Sequence, residues 1–200
     1  PDTTEAGQVV AGNPGVTVYD SDDNPVGAGT EVSVTLNKNN FTSASTDTVS
    51  TNSSGEAIFS NLIIEVAATG YQLTFSAGSL TDVTSVDFEV TNASPDSMAI
   101  ATQPGDTLQG YPIPGPPAVT LYDAYDNTVS GIDITALINK NTLNGTDTVT
   151  TNSSGTAVFN DLSVNTFDSG YELIFDADDN DDSSVSDTNS DPFEIFEEQA

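Results

Sequence analysis

Apolar and polar residues alternate along most of the chain. Val32, Val34 and Leu36 take every second position, as do Tyr71, Leu73 and Phe75, and again Ile134, Ala136 and Ile138. A period of two gives each segment one apolar face and marks half-buried strands. Turn residues punctuate these runs, as in Asp23-Asn24-Pro25 and Asn52-Ser53-Ser54-Gly55. No helical stripe interrupts them. About seven short strands per hundred residues predict an all-β chain of two-sheet, immunoglobulin-like sandwiches. Phe59, Phe75 and Phe88, with Phe159, Phe175 and Phe193, read as core. Tyr71 and Tyr171 each follow a glycine and open an inward-facing strand, the place of a tyrosine corner.

The alternation occurs twice. DTVSTNSSGEAIF at 47–59 returns as DTVTTNSSGTAVF at 147–159, with ten of thirteen positions identical. GYQLTF at 70–75 returns as GYELIF at 170–175, and VTVYDSDDNPV at 16–26 as VTLYDAYDNTV at 119–129. The offset changes from 103 to 100 along the chain, so loops differ in length while strands are kept. The expectation is two tandem sandwich domains, 1–93 and 94–200, joined by the short linker Thr91–Asp96.

The first copy is shorter than the second. Met98–Gln103 predicts an edge strand directly before Pro104. Pro1 aligns with Pro104, so the first domain lacks its first edge strand within this chain. Either the numbering starts inside a longer protein, or a neighbouring subunit donates a strand. No segment reads as a spare donor, because 193–196 belong to the second domain and the tail EEQA is polar.

At this point the residues resemble the tandem bacterial immunoglobulin-like repeats of large secreted adhesins and other cell-surface proteins. The run VTxYDxxDNxV, TNSSGxAxF, GYxLxF and FEV carries the resemblance over nearly the whole chain, twice. It implies sandwich domains that serve as spacers, adhesion modules, or filament and surface-layer units. It does not select among them.

Charge narrows the chemistry. The 200 residues hold 31 Asp and Glu against 2 Lys and Arg, for a formal net charge of −29. Such a chain cannot neutralise phosphates, and anionic lipid surfaces repel it. Without Cys or His it has no ordinary zinc, haem or iron–sulfur ligands and no Ser–His–Asp catalysis. No apolar run approaches a membrane span, and PDTTEAGQVV carries no signal-peptide pattern. Paired carboxylates occur without a pocket-forming insertion, so no enzyme is expected. An exposed surface protein, plausible in a saline medium, fits this balance.

What chemistry remains lies in oxygens and two amines. The turns at Asp20, Asp22, Asp23 and Asn24, and at Asp123, Asp126 and Asn127, offer clustered carboxylate and amide oxygens, which suit Ca²⁺. The same residues also read as side-chain-stabilised turns, the more so because Tyr125 replaces one acid. In 176–187, Asp176, Asp178, Asn180 and Asp182 fall at the alternate spacing of a calcium loop, with Asp187 at its twelfth place. Asp181 stands where the turn glycine belongs, and a solvated acidic hairpin is the other reading.

Lys38 and Lys140 are equivalent, each within Asn-Lys-Asn and in phase with inward-facing residues. They read either as strand-end lysines paired with an acid, or as halves of an isopeptide bond to Asp47 or Asp147, Asn52 or Asn152, or Asn61 or Asp161. Asn40, Asn52, Asn92, Asn144 and Asn152 open N-glycosylation sequons, about as many as chance supplies. Tyr111, Tyr125, Phe41 and Phe167 are the aromatics free for a sugar platform, but they are not repeated. The expectation is a non-enzymatic extracellular spacer or display module. Its expected partners are neighbouring repeats, identical subunits or surface glycans. A strand-donating filament subunit and a carbohydrate-binding accessory module are the alternatives.

Overall fold

The computed structural model describes residues 1–178 and 185–198. These residues are all-β, with no helix among them. The chain divides into two compact units, Pro1–Ala93 and Ser94–Ala200.

Unit 1 holds β1 (Thr4–Glu5), β2 (Gly15–Thr17), β3 (Glu31–Leu36), β4 (Thr48–Ser50), β5 (Glu56–Ile58), β6 (Ala68–Tyr71), β7 (Leu73–Ser76), β8 (Val83–Thr84) and β9 (Phe88–Thr91). They form sheets ordered β1-β9-β6, β4-β3-β7-β8 and β2-β5. Unit 2 holds β10 (Pro95–Thr102), β11 (Thr107–Leu108), β12 (Ala118–Asp123), β13 (Asp133–Ile138), β14 (Leu143–Asn144), β15 (Thr148–Thr150), β16 (Thr156–Val158), β17 (Ser163–Val164), β18 (Asp168–Tyr171), β19 (Leu173–Asp178), β20 (Thr188–Asn189) and β21 (Phe193–Phe196). Its sheets run β10-β12-β16, β11-β21-β18, β15-β13-β19-β20 and β14-β17. Strands outnumber the expected seven because several are two-residue pairings between loops, too short to leave a pattern.

The alternation falls where the pattern put it. Val32 and Val34 of β3, and Ile134 and Ala136 of β13, are buried, with exposed or half-buried neighbours between them. The phenylalanines meet across each core. Phe59 lies 5.5 Å from Phe75 and Phe159 lies 5.3 Å from Phe175, centroid to centroid. Tilted pairs at this spacing add about 0.5–1.5 kcal/mol beyond the area they bury. No buried side-chain nitrogen or oxygen among the described residues lacks a partner.

Two features escaped the sequence pattern. The first short strand of each unit pairs in parallel with the last, Thr4 opposite Val90 and Thr107 opposite Ile195. Alternation gives the inward face of a strand but not the direction of its neighbour. The linker is also shorter than expected. Thr91 closes β9, and β10 begins at Pro95 rather than Met98, so only residues 92–94 lie between strands.

The Asn-Ser-Ser-Gly turns are built alike. Asn52 Oδ1 accepts from the backbone N–H of Ser54 at 2.8 Å and of Glu56 at 3.1 Å, and Asn152 Oδ1 accepts from those of Ser154 at 2.8 Å and Thr156 at 3.2 Å. The turn then needs a left-handed residue, and Gly155 supplies it at φ +70°. A Cβ there would lie 2.7 Å from Thr128 Cβ and 2.9 Å from the Val129 nitrogen. Both strain and collision therefore oppose any side chain. We expect Gly155→Ala to destabilise unit 2 by about 1–3 kcal/mol, read as a lowered midpoint in denaturant unfolding followed by the near-ultraviolet signal.

Candidate functional sites

The Asn-Lys-Asn segments close a clasp around a buried tyrosine in each unit. Tyr71 and Tyr171 are both fully buried. A buried phenol must find hydrogen-bond partners. Tyr71 Oη donates to Val66 O at 2.7 Å and accepts from Asn39 Nδ2 at 2.6 Å. Tyr171 Oη donates to Thr166 O at 2.8 Å and accepts from Asn141 Nδ2 at 2.7 Å. Asn39 and Asn141 reach the phenol from left-handed backbone, at φ 53° and 60°. Asparagine tolerates that region better than most residues.

The first asparagine of each segment fastens the strand. Asn37 Nδ2 donates to Gly70 O and its Oδ1 accepts from the Gln72 N–H, each at 3.0 Å. Asn139 does the same with Gly170 O and the Glu172 N–H, each at 3.1 Å. The lysine between lies over the tyrosine ring. Lys38 Nζ is 5.1 Å from the Tyr71 centroid and Lys140 Nζ is 4.8 Å from that of Tyr171. A cation over an aromatic face contributes from about 0.5–1 kcal/mol where exposed to about 2 kcal/mol where desolvated, and these half-buried amines lie between the two. Lys38 also donates to Thr69 O, and Lys140 to Ser169 O.

Both lysines thus stand half-buried at strand ends, and their amines are held by the carbonyl of the residue before Gly-Tyr. The residues considered as isopeptide partners are engaged elsewhere. Asn61 Nδ2 donates to Ala44 O at 2.7 Å, Asp161 accepts from the Thr146 N–H at 2.9 Å, and Asn52 and Asn152 hold their turns. Asp47 and Asp147 accept from the hydroxyls of Thr48 and Thr148. Lys140 has a further partner that sequence reasoning missed, Asp168, whose Oδ2 lies 3.0 Å away. Ala68 holds the equivalent place in unit 1, so repetition gave no signal for it. The flanking asparagines were also missed, though their presence in both copies was a signal.

In each acidic turn the first aspartate spends a carboxylate oxygen on the turn's own backbone. Asp20 Oδ1 accepts from the N–H groups of Asp22 at 2.9 Å and Asn24 at 3.0 Å. Those bonds, Asn24's first, hold its carboxyl below the usual range. Asp123 Oδ1 accepts from the N–H groups of Tyr125 and Asn127, both at 2.9 Å, and Asn127 Nδ2 adds a bond to Oδ2 at 2.9 Å. Asp123 is buried at 2% exposure, whereas Asp20 is exposed. Asp23 and Asp126 take left-handed backbone, at φ 59° and 63°. The arrangement is a side-chain-closed turn in both copies. Among the described residues no group of three or more Asp or Glu is placed to hold a metal ion.

Of the acidic segment, Asp176 and Asp178 lie in β19, opposite Thr135 and Asp133 of β13. The beginning of the calcium-loop pattern is therefore strand. Asn180 and Asp182 lie outside the described residues. Among the sequon asparagines, Asn40, Asn52 and Asn152 are exposed and Asn92 and Asn144 half-buried. Tyr111 and Phe167 are half exposed, while Tyr125 and Phe41 are partly covered. The ring pairs among the described residues, Phe59–Phe75, Tyr71–Phe88, Phe159–Phe175 and Tyr171–Phe193, involve none of these four.

Fold and clasp together define a class of protein, tandem immunoglobulin-like β-sandwiches. No protein-family profile and no curated protein matches the chain. Solved structures do. Invasin, a bacterial integrin-binding protein, is 17% identical at a TM-score of 0.41, over 95% of this chain and 37% of invasin's. The Yersinia pseudotuberculosis adhesin InvE is 15% identical at 0.38, over 98% of this chain and 56% of its own. Domains 4 and 5 of the S-layer protein SbsC are 14% identical at 0.34, over 96% and 99%. The chain spans roughly a third to a little over half the length of the invasin and InvE chains it matches.

The ion pair of unit 2 makes a pH prediction. The Lys140 ammonium, followed by the Ser169 N–H, lowers the pKa of Asp168. Its folded-state value lies below the unfolded one. The stability it contributes is therefore in place above the ordinary carboxylate range and is lost as pH falls through the depressed value. We expect Lys140→Met to return the Asp168 titration toward that of a free carboxylate, followed by carboxyl-carbon NMR. Asp161, lowered by the Thr146 N–H and hydroxyl, should not move.

Proposed function

We propose that this chain is a non-enzymatic extracellular module, a spacer or display segment of a cell-surface protein. One observation carries the reading. Six of the polar side chains that offered chemistry are engaged in holding turns and strands, at equivalent positions in both units. Asp20 and Asp123 close turns, as do Asn52 and Asn152, and Lys38 and Lys140 cover tyrosines. Among the described residues no helix is long and apolar enough to cross a membrane.

Force spectroscopy of the whole chain tests the mechanical role. Two discrete unfolding events are expected, each lengthening the chain by roughly 30–35 nm at ~3.6 Å per extended residue. Smooth extension without discrete events would sink the proposal.

The net charge of −29 adds an environmental prediction. The Debye length falls from ~10 Å at 0.1 M salt to ~3 Å at 1 M, which screens the self-repulsion of the folded state. We expect the thermal midpoint to rise steadily over that range of sodium chloride. A flat or falling midpoint in calorimetry would contradict a fold suited to saline surroundings.

A further inference from the structure

The segment that enters β4 differs in length from its counterpart before β15. Asn39 corresponds to Asn141 and Asp47 to Asp147, so residues 40–46 of unit 1 stand where 142–146 of unit 2 do, with two residues more. In unit 2 the segment lies tight against the chain that follows β16. β14 pairs with β17, Leu143 packs on the core, and a Cβ at Gly145 would come within 2.4 Å of Asp161 O. The longer segment of unit 1 leaves space beside β3. β4 pairs with β3 only from Glu31 to Ser33, and one further bond joins the Val34 N–H to Asp47 O at 2.8 Å. Past that bond opens a cleft of about 420 Å³. Small-molecule sites occupy roughly 300–1,000 Å³.

The wall of the cleft is pinned. The Thr42 N–H donates to Ile63 O at 3.0 Å, the Ile63 N–H to Ser45 Oγ at 2.9 Å, Asn61 Nδ2 to Ala44 O at 2.7 Å and the Thr46 N–H to Asn61 O at 2.8 Å. A ligand therefore meets a formed site and has little chain to order. The lining divides by chemistry. Val34, Leu36 and Phe41 are apolar, whereas Asn40, Ser43 and Asp47 are polar and exposed. Among the described residues the side chains of Asn40 and Ser43 hold no hydrogen bond, and Asp47 Oδ1 accepts one, from the Thr48 hydroxyl at 3.3 Å. Leu36 adds backbone groups. Successive strand residues send their N–H and C=O to alternate sides. The Val34 N–H goes to Asp47 O and that of Asn37 to Gln72 O, on the far side, so those of Leu36 face the cleft.

We propose that this cleft binds a neutral pyranose sugar. The C–H face of the ring lies on Phe41 and Leu36. Its hydroxyls, each able to donate and to accept, meet the Asn40 amide, the Ser43 hydroxyl, the Asp47 carboxylate and the Leu36 backbone. Other classes of ligand match the lining less well. An anion meets Asp47 and the field of a chain of −29, with no cation in the lining. A wholly apolar molecule would bury Asn40 and Asp47 without partners. A calcium ion would find a single carboxylate there, and it takes at least about six oxygens. The inference does not rest on the spacer reading: a unit that bears load can carry a sugar site or lack one.

Titration of the whole chain with the methyl glycosides of glucose, galactose, mannose and N-acetylglucosamine, followed by amide NMR, tests it. At least one should bind saturably in the millimolar range, with shifts centred on Leu36, Asn40, Phe41 and Asp47. Asp47→Ala should weaken that binding about tenfold or more, by removing a charged hydrogen-bond acceptor. Phe41→Leu, which keeps an apolar side chain but no flat face, should weaken it too. Should Phe41→Leu fail to fold, Asn40→Ala, at an exposed position, takes its place and should also weaken binding. Asp147→Ala, the equivalent change in unit 2, should leave it unaltered. Methyl glucuronide, which adds a carboxylate to the same ring, should bind more weakly than methyl glucoside. The proposal fails if none of the four sugars gives saturable shifts below ~100 mM, far weaker than ordinary affinities. It fails as well if Asp47→Ala leaves binding unchanged or Asp147→Ala weakens it equally, since the sugar is then not held in this cleft. Glucuronide binding as tight as that of the glucoside would overturn the neutral ligand.

Discussion

Each unit is organised around one buried phenol. Taking a tyrosine wholly out of water removes the hydration of its hydroxyl, which costs free energy unless protein groups replace it. Tyr71 and Tyr171 recover it with a backbone carbonyl five residues upstream and an asparagine amide from another strand end. That requirement fixes more than the ring. It places the Asn-Lys-Asn segment after β3 or β13 and sets a left-handed asparagine there. The bulge at Gly70 or Gly170 lies where the strand turns from one sheet toward the other. Phe88 and Phe193 then pack on the same rings.

Charge is handled locally rather than in bulk. The carboxylates of Asp20, Asp123 and Asp161 are met by backbone N–H groups two to fifteen residues away, not by cations. A turn of this kind places N–H dipoles around a carboxylate and so stabilises its ionised form without a partner of opposite sign. The two cations of the chain are both used at the clasps. This accounts for a fold that tolerates so few bases: the acids that matter to the architecture do not require them.

Much of the fold was legible in the sequence because a half-buried strand writes its burial as alternation. β3, β13 and the Gly-Tyr strands could be read directly, and repetition separated kept strands from variable loops. The parallel pairing of β1 with β9 left no trace, because two residues cannot carry a period and direction is not written in burial. The start of β10 was misplaced for a related reason: Pro95 and Asp96 look like a turn but sit at a strand's edge, where a proline's missing N–H costs nothing. At the candidate sites, spacing gave the residues but not their partners. The acidic turns suggested ligands, and only geometry shows that Oδ1 of Asp20 and of Asp123 accepts from its own turn's backbone. Asp168 was invisible because it occurs in one copy.

The clasp also governs how the chain meets proteases. Lys38 and Lys140 are its only basic residues, so they are the only bonds open to enzymes that require lysine or arginine beside the scissile peptide. Each amine already rests on a tyrosine face and a carbonyl, and neither can enter an acidic specificity pocket while the clasp is closed. Cleavage by trypsin-like enzymes then tracks opening of the clasp, with a separate cut for each unit. Within this sequence, digestion by enzymes of that specificity is confined to two bonds, and the clasp restrains the side chain that each of them requires.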